Sequence, residues 1–223
     1  MQEDIVVVVS GGAPPRPDAA LAVPLGAPVI AADGGLEHAR ALGLDVTTVI
    51  GDFDSVSREA LAAAEADGVR LVRHPAEKDA TDLELALDEA LGRSPDRIVL
   101  LAGERGRLDH FLATLLLLGS PRYADVLVDA EIGPAHVRVI RGERDLDGEP
   151  GELVTLLALH GAASGVRTDG LVYPLAGETL EPGSSRGVSN VFVGDTARVS
   201  VEHGVVLAVR PGLQERALEE GAR

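Results

Sequence analysis

Apolar positions in the first half of the chain come in short unbroken runs, each ending on glycine, proline or a carboxylate. Ile5 to Val9 is a β-branched run that meets Ser10-Gly11-Gly12, and Pro28 to Ala32 meets Asp33. Thr47 to Ile50 leads into Gly51-Asp52, Val69 to Val72 into His74-Pro75, Ile98 to Leu101 into Ala102-Gly103, and Ala124 to Asp129 reads as one further strand. Such uniform apolarity fits strands buried on both faces. Between the runs the spacing turns helical: Leu83, Ala86, Leu87, Ala90 and Leu91 form one stripe of a helix. Thr81 and Glu84 make a capping-box pair at its start. Asp109 is expected to cap a second apolar helix that ends at Leu118, before Gly119 and Pro121. Strands alternating with helices predict an α/β fold built on a mostly parallel, Rossmann-like sheet with flanking helices.

After about residue 134 the rhythm changes. Val137 to Ile140, Leu153 to Leu159, Leu171 to Tyr173, Asn190 to Val193, Ala197 to Val201 and Val205 to Arg210 are short β-branched or alternating runs separated by turn signals such as Gly148-Glu149-Pro150-Gly151 and Pro182-Gly183-Ser184-Ser185. Closely spaced strands of this kind predict an antiparallel sandwich or barrel. The chain is expected to divide into residues 1–134 and 135–223, with the charged tail from Leu213 fraying or forming a helical turn.

The strand ends carry the candidate chemistry. In an open α/β sheet, ligands bind beyond the carboxyl ends of the strands. Asp33, Asp52, Asp54, Asp79 and Asp82 would lie along that edge, and carboxylates crowded there repel one another unless a divalent cation or a proton relieves them. Mg²⁺ fits, because it takes one or two carboxylates together with water and phosphate oxygens. Any single aspartate has an ordinary alternative as a turn or cap residue; Asp52 with Asp54, followed by the Lys78-Asp79-Ala80-Thr81-Asp82 cluster, favours function. Gly11-Gly12 and Gly34-Gly35 could let backbone N–H groups approach phosphate, although simple turns explain them equally well. In Gly103-Glu104-Arg105-Gly106-Arg107-Leu108-Asp109-His110, Arg107 offers a fork of donors to a phosphate, the alternative being an ion pair with Asp109 or Glu104. The six histidines are scattered and no nucleophilic triad is present.

Composition narrows the partners. At 223 residues and 45% apolar content the chain can bury a substantial core. A formal net charge of −16 argues against a nucleic-acid partner gripped through its phosphates. The absence of cysteine removes disulfides, thiolate metal sites and cysteine nucleophiles. No apolar stretch approaches the roughly 20 residues that span a bilayer, and no secretory signal pattern opens the chain, so a cytoplasmic location and no membrane partner are expected. Lys78 is the only lysine.

Taken in order and spacing, Ala31-Ala32-Asp33-Gly34-Gly35, Ile50-Gly51-Asp52-Phe53-Asp54-Ser55, Lys78-Asp79-Ala80-Thr81-Asp82-Leu83-Glu84 and Gly106-Arg107-Leu108-Asp109-His110 resemble the thiamine pyrophosphokinase family. Gly170-Leu171-Val172-Tyr173-Pro174-Leu175 followed by Gly187-Val188-Ser189-Asn190 is similar to that family's carboxyl-terminal signature, so the resemblance covers nearly the whole chain. It implies transfer of a pyrophosphoryl group from ATP to the hydroxyethyl oxygen of thiamine, with thiamine diphosphate and AMP as products. It also implies an α/β nucleotide-binding catalytic domain, a carboxyl-terminal β-sandwich for thiamine binding and dimerisation, and a homodimer whose active sites lie between subunits. By matching motif, Asp52, Asp54 and Asp82 would hold Mg²⁺ with Asp79 in support. Asp33, Gly34, Gly35 and Lys78 would serve the nucleotide or its metal, Arg107 and Asp109 the phosphate end, and Ser189 and Asn190 the thiamine across the dimer. Asp79 or Asp82 is the candidate base for the acceptor hydroxyl. The chain departs from the pattern at Val191, where many bacterial members carry Glu, and in having no tryptophan to stack on an acceptor ring. Competing readings are a pyrophosphokinase for a pterin-type alcohol, a Mg²⁺-dependent phosphoesterase, and a nucleotide- or thiamine-sensing module without turnover.

Overall fold

The computed structural model describes residues 3–212. The tail from Leu213, expected to fray or turn helical, lies outside the described residues. The chain divides into two compact units after Gly133.

The first unit is an α/β sheet. Its strands are β1 (Ile5–Val9), β2 (Val29–Ala32), β3 (Val46–Gly51), β4 (Arg70–Arg73), β5 (Arg97–Ala102) and β6 (Leu127–Ile132). All pair in parallel, in the order β4-β3-β2-β1-β5-β6. The helices are α1 (Gly35–Ala41), α2 (Arg58–Ala66), α3 (Asp82–Leu91) and α4 (Leu108–Leu118). Val7, Val8 and Val9 are fully buried, so β1 is covered on both faces; each such side chain contributes about 1.5–3 kcal/mol relative to exposure. Val7, Val9, Val29, Ala39, Val99 and Leu101 form one core, and Ala31, Leu36, Val49, Phe53, Val56 and Ala64 another. The strand order reverses between β1 and β5, where such sheets open a crevice at their carboxyl ends.

Two helix starts come from side-chain caps: Ser57 Oγ accepts from Ala60 N–H at 3.2 Å, and Thr81 Oγ1 from Glu84 N–H at 3.2 Å. The expected cap at Asp109 is corrected. The helix begins two residues earlier on its cap residue Arg107, which makes no side-chain cap bond, and Asp109 sits inside the first turn. The sixth strand starts at Leu127 and not Ala124, because Pro121–Tyr123 forms a 3₁₀ turn that buries Tyr123 and lets its hydroxyl donate to Asp88 Oδ1 at 3.1 Å.

The second unit is antiparallel. Its strands are β7 (Ala135–Ile140), β8 (Glu143–Asp147), β9 (Leu153–Asp169), β10 (Ala176–Leu180), β11 (Asn190–Val191), β12 (Thr196–Ser200) and β13 (His203–Arg210). The order runs β7-β13-β9-β12-β8, with β10 and β11 also pairing to β9. Where a strand ending at Leu159 is expected, β9 runs on to Asp169, 17 residues in all. Its first part pairs with β13 and its last part with β10 and β12. The change of partners falls around His160 and Gly165, both left-handed (φ +57° and +66°), which redirect the strand. Val154, Leu156, Ala158, Val166, Val199, Val206 and Phe192 fill this unit's core. Leu171 to Tyr173 is not a strand: Leu171 makes a single bridge to Phe192. β8 escapes the apolar pattern because only Leu146 of its residues is buried. Among the described residues, no helix is long and apolar enough to cross a membrane.

Candidate functional site

Beyond the ends of β2 and β3 the chain brings three carboxylates together. Asp33 follows β2, Asp52 follows β3 and Asp82 opens α3, and one oxygen from each lies within 4.8 Å of the others. The backbone arranges this. Asp33 takes a left-handed conformation (φ +46°), with its N–H donating to Ile50 O at 2.8 Å, which ties the end of β2 to β3. A Cβ on Gly51 would lie 3.1 Å from Asp33 Cβ and 3.1 Å from Asp82 Oδ1, so only glycine lets the two acids flank the strand end. Gly35 serves packing instead, since a Cβ there would overlap the Val9 carbonyl and keep α1 from seating against β1. Its neighbour Gly34 has no such crowding.

Lys78 sits among these acids with its side chain 13% exposed, its Nζ 3.1 Å from Asp82 Oδ1 and 3.4 Å from Asp52 Oδ2. Three ionised carboxylates against one ammonium would leave two negative charges in a half-buried place. The electrostatics reflect that. Burial pushes the Asp33 carboxyl above the usual aspartate range, and the charges of Asp82 and Asp54 add to the shift, against hydrogen bonds from Ser55 and the Gly34 N–H. The Asp54 N–H, donating at 3.3 Å, holds Asp52 below that range, with Lys78 assisting against desolvation. Desolvation works to lower the Lys78 pKa, but the carboxylates of Asp82 and Asp52 outweigh it and raise it, so the ammonium stays charged. Asp33 Oδ1 is buried without a hydrogen-bond partner, and Asp82 Oδ1, also buried, has only the Lys78 ammonium at 3.1 Å. Buried oxygens of this kind call for a ligand. All three donors are hard carboxylate oxygens, suited to Mg²⁺ rather than to softer metals.

The group differs from the metal set read off the motifs. Asp33 is in it, and Asp54 is outside, exposed, with Oδ1 accepting from Ser55 Oγ at 2.9 Å. Asp79 is exposed and also outside the group. Arg107 makes the ion pair that was the alternative to phosphate binding: its Nη2 lies 2.6 Å from Asp109 Oδ2, both side chains are exposed, and the bond holds Asp109 down to about 2. Sequence reasoning missed Arg73. It donates from Nη1 to the Asp52 carbonyl at 2.9 Å and stacks 4.6 Å over the Phe53 ring, and only its position at the end of a strand beside Gly51 could have pointed to it.

The second unit has its own cavity, of about 260 Å³, lined by Tyr173, Leu175, Ser185, Arg186, Val188 and Asn190 among others. That is just below the roughly 300–1,000 Å³ usual for small-molecule sites. Asn190 is 3% exposed and its amide is committed to the chain: Oδ1 accepts from the N–H groups of Tyr173 (3.0 Å) and Val191 (2.9 Å), and Nδ2 donates to Tyr173 O (2.7 Å). It therefore fixes Tyr173 at the cavity. Ser189 is left-handed (φ +56°), with its N–H donating to Thr155 Oγ1 at 3.1 Å.

Comparison with known proteins places both halves. Residues 27–128 match the model of the thiamin pyrophosphokinase catalytic domain, and residues 139–206 that of the thiamin pyrophosphokinase vitamin B1 binding domain. The three clustered aspartates fall in the first match and the cavity in the second. A thiamine pyrophosphokinase of Bacillus subtilis is 28% identical over 188 residues, spanning 78% of this chain and 88% of that protein. The crystal structure of thiamine pyrophosphokinase from Bacillus subtilis superposes with a TM-score of 0.82 at 25% identity, covering 94% of this chain and 99% of that one. A family protein from Enterococcus faecalis superposes at 0.77 with 29% identity, covering 92% and 97%.

Proposed function

The chain belongs to the thiamin pyrophosphokinase family, and from that membership we propose the reaction its acidic site serves: transfer of diphosphate from ATP to the hydroxyl of thiamine, giving thiamine diphosphate and AMP. It is an ATP-dependent diphosphotransferase. The observation that carries the assignment is the group of Asp33, Asp52 and Asp82 at the sheet edge, within the segment that matches the family's catalytic domain.

Mg²⁺, when bound there, supplies neutralisation of phosphate charge and alignment of the reacting groups. Asp33, Asp52 and Asp82 would hold it, a reading supported by the orphaned Oδ1 of Asp33 and the closeness of the three carboxylates, and Asp54 is retained from the motif as a fourth candidate. Lys78 pairs with Asp52 and Asp82 and would set a positive charge beside the phosphates of a bound nucleotide. Asp33 and Gly34 follow β2, one strand from the reversal of strand order between β1 and β5 where an α/β sheet takes a nucleotide. Arg107 would exchange its exposed pairing with Asp109 for a phosphate. Asp79, exposed and uncommitted to the acidic group, is the candidate to receive the acceptor's proton.

Residues 1–134 are read as the nucleotide-binding catalytic domain and 135–223 as a thiamine-binding and dimerisation domain of β-sandwich form. The change of partners along β9 supports the sandwich. Thiamine would enter the cavity beside Tyr173, with Asn190 orienting that residue and Ser189 in reach of the ligand. The homodimer contact is read as extending beyond the carboxyl-terminal domain to α4, whose Leu108, Leu112 and Leu116 are 68%, 51% and 51% exposed. A cytoplasmic location agrees with the cysteine-free composition.

Purified protein with ATP, Mg²⁺ and thiamine should produce AMP and thiamine diphosphate in equal amounts. Phosphate release independent of any acceptor would instead make the protein a hydrolase. A pterin-type alcohol outcompeting thiamine would reassign the acceptor, and ligand-induced stabilisation without AMP would leave a sensor.

A further inference from the structure

The turn that carries Asp52 is held in an unusual shape. Phe53 is left-handed (φ +66°), a conformation that side chains other than glycine rarely adopt. It sends the two flanking acids to different places: Asp52 joins the carboxylate group while Asp54 stays exposed outside it. The Phe53 ring is anchored below by Ala31, Leu36, Val49, Val56 and Ala64. Its outer face is covered by the Arg73 guanidinium, 4.6 Å from the ring centroid, while Nη1 of the same group donates to the Asp52 carbonyl at 2.9 Å. Arg73 ends β4 opposite Gly51, so one planar fork from the neighbouring strand clamps both the ring and the backbone of the strained turn. A lysine could supply the charge or the donor but not both contacts through one plane.

We propose that Arg73 is a positioning residue for the cation site: by locking Asp52-Phe53 in the left-handed turn, it aims the Asp52 carboxylate at Asp33 and Asp82. The inference rests on those carboxylates binding a divalent cation. Its effect has a sign that charge alone does not share. Removing a positive charge beside an acidic site should tighten cation binding by electrostatics, whereas loss of the clamp should weaken it.

The test is titration of metal-free protein with Mn²⁺, followed by electron paramagnetic resonance, without nucleotide or thiamine. Wild type should bind. Arg73→Ala should bind about 10- to 100-fold more weakly, the usual cost of losing a residue that orients a metal ligand, and Arg73→Lys should fall between. Phe53→Leu, which changes no charge, should also weaken binding. Arg70→Ala, on the same strand and with the same charge change, should match wild type. The Mg²⁺ concentration for half-maximal activity should rise in Arg73→Ala while the KM for thiamine stays unchanged. Thermal unfolding identifies variants that fail to fold; if Arg73→Ala is one, Arg73→Lys and Phe53→Leu carry the test. Folded variants that bind Mn²⁺ as tightly as wild type, or more tightly, overturn the positioning role with the cation site intact. A wild type that binds no Mn²⁺ removes the cation site itself and this inference with it.

Discussion

Gly51 shows how the site depends on what a residue lacks. The space its missing Cβ leaves is taken by Asp33 and Asp82, each 3.1 Å from where that atom would be. The carboxylates this admits are unfavourable to one another, and burial with its charged neighbours pushes Asp33 above the usual aspartate range. Such strain is expected where a site is built for a ligand and not for stability. Asp33→Asn should therefore raise the melting temperature of the metal-free protein by about 2–4 °C, as a gain of ~1 kcal/mol would in a chain of this size, while turnover falls. An unchanged or lower melting temperature would mean that the acids are not in conflict. Asp54→Asn separates the motif from the geometry: a loss of turnover on the order of 10²-fold, the scale of removing one group from a preorganised site, keeps Asp54 in the chemistry, and normal turnover excludes it. At this scale the sequence placed five acids along one edge of the sheet, and three of them meet there. It could not show that Asp33 rather than Asp54 meets Asp52 and Asp82, because that choice depends on the left-handed turns at Asp33 and Phe53.

At the scale of elements, α3 was the most legible part of the chain. Its stripe is local, and the predicted cap forms, with Thr81 accepting from Glu84 N–H. Asp82 is the first residue after that cap, so helix geometry aims its carboxylate at Asp33 and Asp52. Thr81→Ala should cost about 1 kcal/mol, seen as a fall of roughly 2–4 °C in melting temperature, and kcat/KM should fall further than the lost stability explains as Asp82 loses its anchor. A melting temperature equal to wild type would refute the capping role. α4 was less legible. Asp109 looked like its cap, yet it lies inside the first turn and pairs with Arg107. In the second unit, β8 and β10 went unread and β9 was cut short at Leu159. Edge strands with few buried side chains carry little apolar signal, and a strand that bends at His160 and Gly165 looks like two.

For the whole molecule, a charge of −16 leaves little surface suited to nucleic acid, while the leucines of α4 leave an apolar stretch in need of cover. Light scattering on the purified protein should give twice the 23.1 kDa chain mass. Introducing Leu112→Glu and Leu116→Glu together should shift it toward the monomer, and a wild-type mass of one chain would remove the dimer. The alternation of buried runs with helical stripes, and the later change to short strands, were set by the sequence itself, since turn chemistry and hydrophobic period act over a few residues. The family motifs were equally local. What only tertiary structure decided is the convergence of Asp33, Asp52 and Asp82 from three strand and helix ends spread over 50 positions (33 to 82, inclusive), with Lys78 between two of them and Arg73 bracing the turn. That convergence requires β2 beside β3 and α3 starting at their ends, a long-range pairing whose energy lies in the buried sheet and leaves no local trace in the segments it joins.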